Sequence, residues 1–234
     1  MRVSRFQRRI VVAILAVILV PPLSYLAWDQ YTYNFDAIRP GELYRSGQMP
    51  AKALTKTLRE HGIKTVLNLR GENPDQPWYR AERKTVLSEG ATLVDVPMSS
   101  SEWISRAQLR AVIDVLETYE RPMLMHCQWG SERTGLVATF AELLRPGATL
   151  DDARAQLSLR FLYVRAGDGK IMAEHVDSYE AWLRKRNQKH SPDGFRRWVS
   201  EGYVPKMPSR EFWAYDPKPV FVVTRPGEAE INRR

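Results

Sequence analysis

Cysteine is nearly absent from these 234 residues: there is one, Cys127. A single thiol forms no internal disulfide, which excludes a disulfide-stapled scaffold. Taken alone, a lone cysteine is most simply a small buried hydrophobe. Also missing is any charge bias in the body of the chain. The formal net charge of +8 invites a polyanionic partner. Residues 1–30 hold four basic residues and one acid, and residues 185–234 hold eleven basic and six acidic. The span between them holds twenty of each. The excess therefore lies at the two ends, and no nucleic-acid partner is expected. The last fifty residues contain no clear repeat, and residues 10–28 contain no charge at all.

That uncharged stretch carries a topology expectation. Arg2, Arg5, Arg8 and Arg9 precede Ile10–Val20, which is uninterruptedly apolar, and Pro21-Pro22 leads on to Trp28. Residues 10–28 are long enough to span a bilayer, with Pro21-Pro22 as a point of kinking. Basic residues ahead of the span place the N-terminus in the cytoplasm and everything after it outside. The expectation is a single-pass anchor in an inner or plasma membrane, with the following domain periplasmic or extracellular. A cleavable signal peptide is the rival reading. It is weakened because Tyr25, not a small residue, stands two positions before Ala27. An unpaired thiol in an oxidising compartment is a liability that a chemical role would explain.

The neighbours of Cys127 supply such a role. His126-Cys127-Gln128-Trp129-Gly130-Ser131-Glu132-Arg133-Thr134-Gly135 fits H-C-x-x-G-x-x-R-[S/T]-G. From average residue usage, that pattern arises by accident in roughly a few per million chains of this length, so packing alone is a poor account of the cysteine. Five residues between Cys127 and Arg133 let the backbone wrap into a cradle with inward N–H groups. Such a nest at a helix N-terminus binds an anion without a metal. Gly130 takes the backbone angles that a tight wrap demands, and Arg133 offers a rigid fork matching two phosphate oxygens. The phosphate-binding residues are thus Gln128, Trp129, Gly130, Ser131, Glu132 and Arg133. Cationic neighbours and the helix N-terminus also favour the thiolate of Cys127. Met123-Leu124-Met125 reads as a buried strand before the motif, and Thr134–Leu144 as an apolar helix after it.

The ten-residue loop resembles the signature loop of the cysteine-dependent protein tyrosine phosphatase superfamily. Tyr44-Arg-Ser-Gly-Gln48 and Gly62-Ile-Lys-Thr-Val-Leu-Asn-Leu-Arg70 occur in the order seen in atypical dual-specificity phosphatases, whose bacterial members can carry a membrane anchor. The resemblance covers residues 38–184. It implies an α/β fold: a single phosphatase domain with a central, mostly parallel sheet flanked by helices, here with an N-terminal transmembrane helix. It implies that Cys127 attacks phosphorus to give a phosphocysteine intermediate, that Thr134 hydrogen-bonds the sulfur, and that His126 orders the loop from behind. A satisfied core histidine is the alternative for His126. Neither a metal nor a cofactor is implied.

The superfamily usually draws its general acid from an aspartate on a mobile upstream loop. Here Thr92–Val96 reads as a strand, followed by Pro97-Met-Ser-Ser-Ser-Glu-Trp103. Between Asp95 and Cys127 the only aspartate is Asp114, in the middle of an amphipathic helix. Glu102 lies in the right loop and is the candidate acid, and later base; an exposed loop carboxylate is the alternative. Asp95 is second choice. A third possibility is that no protein acid is used, which aryl phosphates would tolerate.

The organisation expected is a cytoplasmic basic segment (1–9), an anchor (10–28), a linker (29–37), the phosphatase domain (38–184) and a basic, aromatic, Pro-containing extension (185–234). Within the domain, 43–48 reads as an edge strand and loop, 51–61 as a helix, 65–69 as a buried strand and 78–87 as a helix. Ser105 and Gln108 form a capping box ahead of Leu109, Val112, Ile113 and Leu116 on one helical face. Residues 149–159 and 171–183 read as helices, with His175 structural. Arg45 and Arg70 either flank the phosphate mouth or make salt bridges. Phe195, Trp198, Tyr203, Phe212, Trp213, Tyr215 and Phe221 are too many aromatics for a disordered tail; they cover the domain or dock on a partner or membrane. The loop carries no lysine, and Glu132 would repel a second phosphate, which favours a monophosphate. The function expected is a membrane-anchored phosphomonoesterase acting on phosphotyrosine or similar phosphoproteins. A phosphatase of a phospholipid or other envelope phosphate is one alternative, and a catalytically weak phosphate-binding module is another.

Overall fold

Short runs of aliphatic residues set the centre of the sheet. The computed structural model describes residues 5–206 and 221–227; Arg2, Phe212, Trp213 and Tyr215 lie outside the described residues. The strands are β1 (Asp36–Arg39), β2 (Leu43–Ser46), β3 (Thr65–Asn68), β4 (Thr92–Asp95), β5 (Met123–His126) and β6 (Val222–Thr224), in the order β1-β2-β5-β3-β4-β6. The four central strands are parallel, and β1 and β6 pair antiparallel at the two edges. Leu43–Ser46 is therefore covered by β1 and is not the edge that its sequence suggests.

Every residue of β2, β3 and β5 is buried, as parallel strands covered on both faces require. Side chains alternate between faces. Leu43, Leu67, Met123 and Met125 enter one core, and Tyr44, Val66 and Leu124 the other. Helices α2 (Ala51–Glu60) and α3 (Pro77–Ser88) supply the second core through Leu54, Leu58, Tyr79 and Val86. The first is filled by α4 (Arg106–Thr118), α5 (Glu132–Leu143), α7 (Lys170–Lys185) and α8 (Pro192–Arg197), with the short α6 (Leu150–Arg154) beside α5. The Ser105 box is formed: Gln108 N–H donates to Ser105 Oγ at 3.1 Å, and Ser105 N–H donates to Gln108 Oε1 at 2.8 Å. Phe195, Trp198 and Tyr203 are fully buried in the first core, which thus continues beyond residue 184.

In the register, Ser46, Asn68 and His126 stand side by side at the C-terminal ends of β2, β3 and β5. The loops that leave those ends meet one another, at the end of the sheet where parallel α/β folds place their ligands.

The expected transmembrane helix is corrected, and with it the localisation of the domain outside an inner or plasma membrane. Helix α1 runs from Arg5 to Thr32, yet among the described residues no helix is long and apolar enough to cross a membrane. The uninterrupted apolar run Ile10–Val20 rises only about 16 Å along a helix, against a hydrocarbon core of about 30 Å. Arginines bound it on one side and Pro21-Pro22 on the other.

Candidate active site

The cradle is shaped from outside. Between β5 and α5, three consecutive carbonyls are taken by neighbouring elements. Gln48 N–H donates to Gln128 O at 3.0 Å, Asn34 Nδ2 to Trp129 O at 3.0 Å, and Arg45 NH2 to Gly130 O at 2.6 Å. Because each trans peptide points its N–H opposite its C=O, the N–H groups of Trp129, Gly130 and Ser131 face the other way, into the loop. Gly130 has φ +73, and a Cβ there would lie 2.7 Å from Gly47 N and 2.8 Å from Ser46 C. Only glycine fits both the backbone angle and the close approach of the β2–α2 loop. Arg45 is wholly buried, lies 3.6 Å over the Phe161 ring, and also donates to Gln156 O and Oε1 at 2.9 Å. It buttresses the loop from behind and does not line its mouth.

Cys127 sits at the floor, 3% exposed. Burial pushes its thiol pKa up. The charge of Arg133, hydrogen bonds from the Thr134 hydroxyl and N–H, and one from the Gly130 N–H outweigh that and bring it below its ordinary value. Thr134 is fully buried, with its hydroxyl 3.4 Å from Ser46 O. Arg133 donates through NH1 to Met98 O at 3.3 Å, and its buried Nε has no hydrogen-bond partner among the described residues. Ser131 is buried and Glu132 half-buried at the start of α5, while Gln128 and Trp129 are exposed at the rim.

Behind the loop, His126, which the sequence already suggests there, is joined by Glu82 and Gln48, which sequence reasoning missed. His126 Nε2 is 2.7 Å from Glu82 Oε1, and Nδ1 is 3.2 Å from Cys127 O. Carboxylate and carbonyl oxygens only accept, so both contacts are satisfied together when the ring is an imidazolium. Burial alone would lower the His126 pKa, but the charge and hydrogen bond of Glu82 and the Cys127 carbonyl carry it above its ordinary value. Glu82 is only 2% exposed and also accepts from Gln48 Nε2. Tyr79, Glu82 and Val86 share the buried face of α3. A carboxylate interrupting an apolar stripe at helical spacing is the signal that was there to read.

Asp95 is fully buried at the end of β4, where it accepts from Asn68 Nδ2 at 2.7 Å and Tyr79 OH at 2.6 Å. Burial raises its pKa to about 6 despite both donors. Its two oxygens are thus occupied by β3 and α3, away from the thiol. Glu102 is exposed on the loop after β4 and makes no hydrogen bond or ion pair among the described residues. Asp114 is exposed on α4. His175 is buried: Nδ1 donates to Ile171 O at 2.7 Å, and Nε2 accepts from Ile104 N–H at 3.3 Å. No cluster of three or more His, Cys, Asp or Glu able to hold a metal ion exists among the described residues.

A family model described as PTP-NADK, a DSP-PTPase phosphatase fused to NAD+ kinase, matches residues 34–173. Among solved structures, TpbA of P. aeruginosa in complex with pTyr is 22% identical, covers 73% of this chain and 93% of its own, and superposes with a TM-score of 0.50. That likeness is one of fold. The core catalytic domain of the PP-IP phosphatase SIW14 from S. cerevisiae, in complex with citrate, is 25% identical over 66% of this chain and 93% of its own, with a TM-score of 0.47. No curated protein sequence matches the chain.

Proposed function

The chain belongs to the DSP-PTPase phosphatase family and is a cysteine-dependent phosphoric monoester hydrolase, and we propose that it acts on phosphotyrosine or similar phosphoproteins through a phosphocysteine intermediate. In this reading the Cys127 thiolate attacks phosphorus. The S–P bond forms as the ester P–O bond breaks, and Glu102 gives its proton to the leaving oxygen. Water then attacks phosphorus with Glu102 as base, releasing inorganic phosphate and regenerating the thiolate. Arg133 and the inward N–H groups carry the charge on the three phosphoryl oxygens, the main contribution to catalysis in phosphoryl transfer. Thr134 stabilises the departing sulfur, and His126 holds the loop in shape.

The observation that carries this reading is the convergence of Arg133 and the Gly130 and Thr134 N–H groups on one buried thiol, lowering its pKa against the effect of burial. Trp129, 59% exposed at the rim, offers an aryl phosphate a flat wall. The test is hydrolysis of p-nitrophenyl phosphate by the full chain. Cys127→Ser should abolish turnover, and Arg133→Lys should reduce kcat/KM by about 10²–10³ through loss of the fork. Glu102→Gln should reduce turnover of alkyl phosphates far more than of aryl phosphates. Equal inactivity of folded wild type and Cys127→Ser would sink the reading, and equal effects of Glu102→Gln on both substrates would remove Glu102 from it.

A further inference from the structure

We propose that Arg70 is a specificity residue: beside the phosphate cradle it receives the carboxylate of an acidic side chain flanking the phosphorylated residue. The preferred substrates are then phosphopeptides with an acidic neighbour. The inference rests on the phosphatase reading and adds to it a sequence preference.

Arg70 leaves the end of β3 next to the strand that feeds the cradle: Asn68 is in register with His126, and Leu69 N–H donates to His126 O at 2.9 Å. Its guanidinium carbon stands 3.6 Å over the Trp78 ring, and NH1 donates to Gln48 Oε1 at 3.1 Å. Gln48 is itself oriented, since its amide NH2 faces the acceptor-only Glu82 carboxylate and its oxygen must therefore face Arg70. Arg70 is thus fixed by a ring and a neutral amide. Arg70 reaches no carboxylate among the described residues, and neither does Arg133.

Two guanidinium groups held near one mouth repel each other. Burial first, then the charge of Arg133, act against the Arg70 cation, while Glu82 and the Cys127 thiolate support it. An arriving anion relieves this arrangement. The three phosphoryl oxygens are spanned by the cradle N–H groups and the Arg133 fork, so the anion at Arg70 is a separate group of the substrate. Its Nε and NH2 make no hydrogen bond among the described residues, and that edge matches a carboxylate bidentately.

The test uses the full chain carrying Cys127→Ser and three fluorescent phosphotyrosyl peptides that differ only in the flanking residue: Glu, Gln or Lys. The Glu peptide should bind about tenfold more tightly than the Gln peptide, a factor that corresponds to one good charged contact, and the Lys peptide more weakly than either. In Cys127→Ser/Arg70→Gln the Glu-to-Gln ratio should fall to about one, whatever the absolute affinities. Equal binding of the three peptides, binding of none, or a preference that survives Arg70→Gln overturns the proposal. The Lys peptide tests it in the single variant even if Arg70→Gln fails to fold. Hydrolysis of p-nitrophenyl phosphate by the wild type is read separately, so failure of the phosphatase reading is distinguishable from failure at Arg70.

Discussion

Replacing Glu82 by Gln should expose the His126–Glu82 pair as a support of the thiolate, with a penalty that depends on pH. Both partners are nearly fully buried and 2.7 Å apart. Glutamine keeps the shape but presents an amide NH2 to Gln48 or to His126, which loses one acceptor and the negative charge. Breaking a buried ion pair by removing one partner costs about 3–5 kcal/mol, a large part of a domain's usual 5–15 kcal/mol. The sign follows from the direction of the shift. With Glu82 present, the folded pKa of His126 lies above 6.5, so the pair adds stability that is full below that value and fades as pH rises through the folded value. Without Glu82, burial, the largest influence, is opposed only by the Cys127 carbonyl and thiolate, and the folded pKa should fall below the unfolded one. The histidine then opposes folding as pH drops through 6.5. The loss should therefore be largest near about pH 5.5 and clearly smaller near about pH 8.5. Urea unfolding followed by tryptophan fluorescence reads the stability. The pH dependence of Cys127 alkylation by iodoacetamide reads the thiol, whose profile should move to higher pH in the variant. Equal losses at both pH values together with an unmoved alkylation profile would refute the reasoning.

Gly130→Ala should strain the cradle twice over. The left-handed angle costs an alanine about 1–2 kcal/mol, and its Cβ would sit 2.7 Å from backbone that is itself fixed in β2 and the loop after it. A displacement of about 1 Å costs about a hundredfold in rate; kcat/KM on p-nitrophenyl phosphate within twofold of wild type would count against the cradle as drawn. Asp95 and His175 should conceal one another in the pH dependence of stability. Burial raises Asp95 from 3.8 to about 6, which removes stability as pH rises from about 4 to about 6, by about 3 kcal/mol. Burial lowers His175 from 6.5 to about 4, which adds a similar amount over about pH 4–6.5. Asp95→Asn should leave a stability that climbs with pH across this range, and His175→Gln one that falls. Denaturation curves of either variant that run parallel to wild type across the range would dispose of both assignments.

Local pattern made the site's floor legible and left its surroundings dark. Cys127, Gly130 and Arg133 lie within seven consecutive residues, and the strand before them and the helix after them follow from apolar runs that a single stretch of chain contains. Glu82, Gln48 and Arg45 reach the same place from α3, the loop after β2, and β2, separated by dozens of residues from the cradle, and the parallel register of β2, β3 and β5 brings them together. Periodicity found the central strands but not β1 or β6. Neither edge strand alternates, and their pairing depends on neighbours already in place. Residues 10–28 lack charge, which suggests an anchor, but lack of charge is not apolarity. The two prolines and the short aliphatic run leave too little rise for a bilayer. Arg45 and Arg70 looked alike in sequence and part in space, one buried behind the loop and the other half-exposed at its mouth.

The proposed general acid, Glu102, is the least legible element because the loop that carries it is held by residues far from it in sequence. The loop after β4 is pinned at two points. At one, Met98 N–H donates to Leu69 O at 3.3 Å, Met98 O accepts from Arg133, and Gln108 Nε2 donates to Pro97 O at 2.5 Å. At the other, Ile104 N–H donates to His175, and Ile104 O accepts from Tyr203 OH at 2.6 Å. Trp103 stacks on His175 with ring centroids 4.2 Å apart, under Lys206 at 5.1 Å. Only Ser99 to Glu102 remain between the pins, and Glu102 is the one carboxylate among them. Tyr203 and Lys206 lie beyond residue 173, where the family match ends. For Glu102 to act as proposed, a span so short and doubly held has to bring its carboxylate over the cradle by a swing about Met98 and Ile104. On the role proposed for Glu102, its extra methylene relative to aspartate extends the reach of that swing.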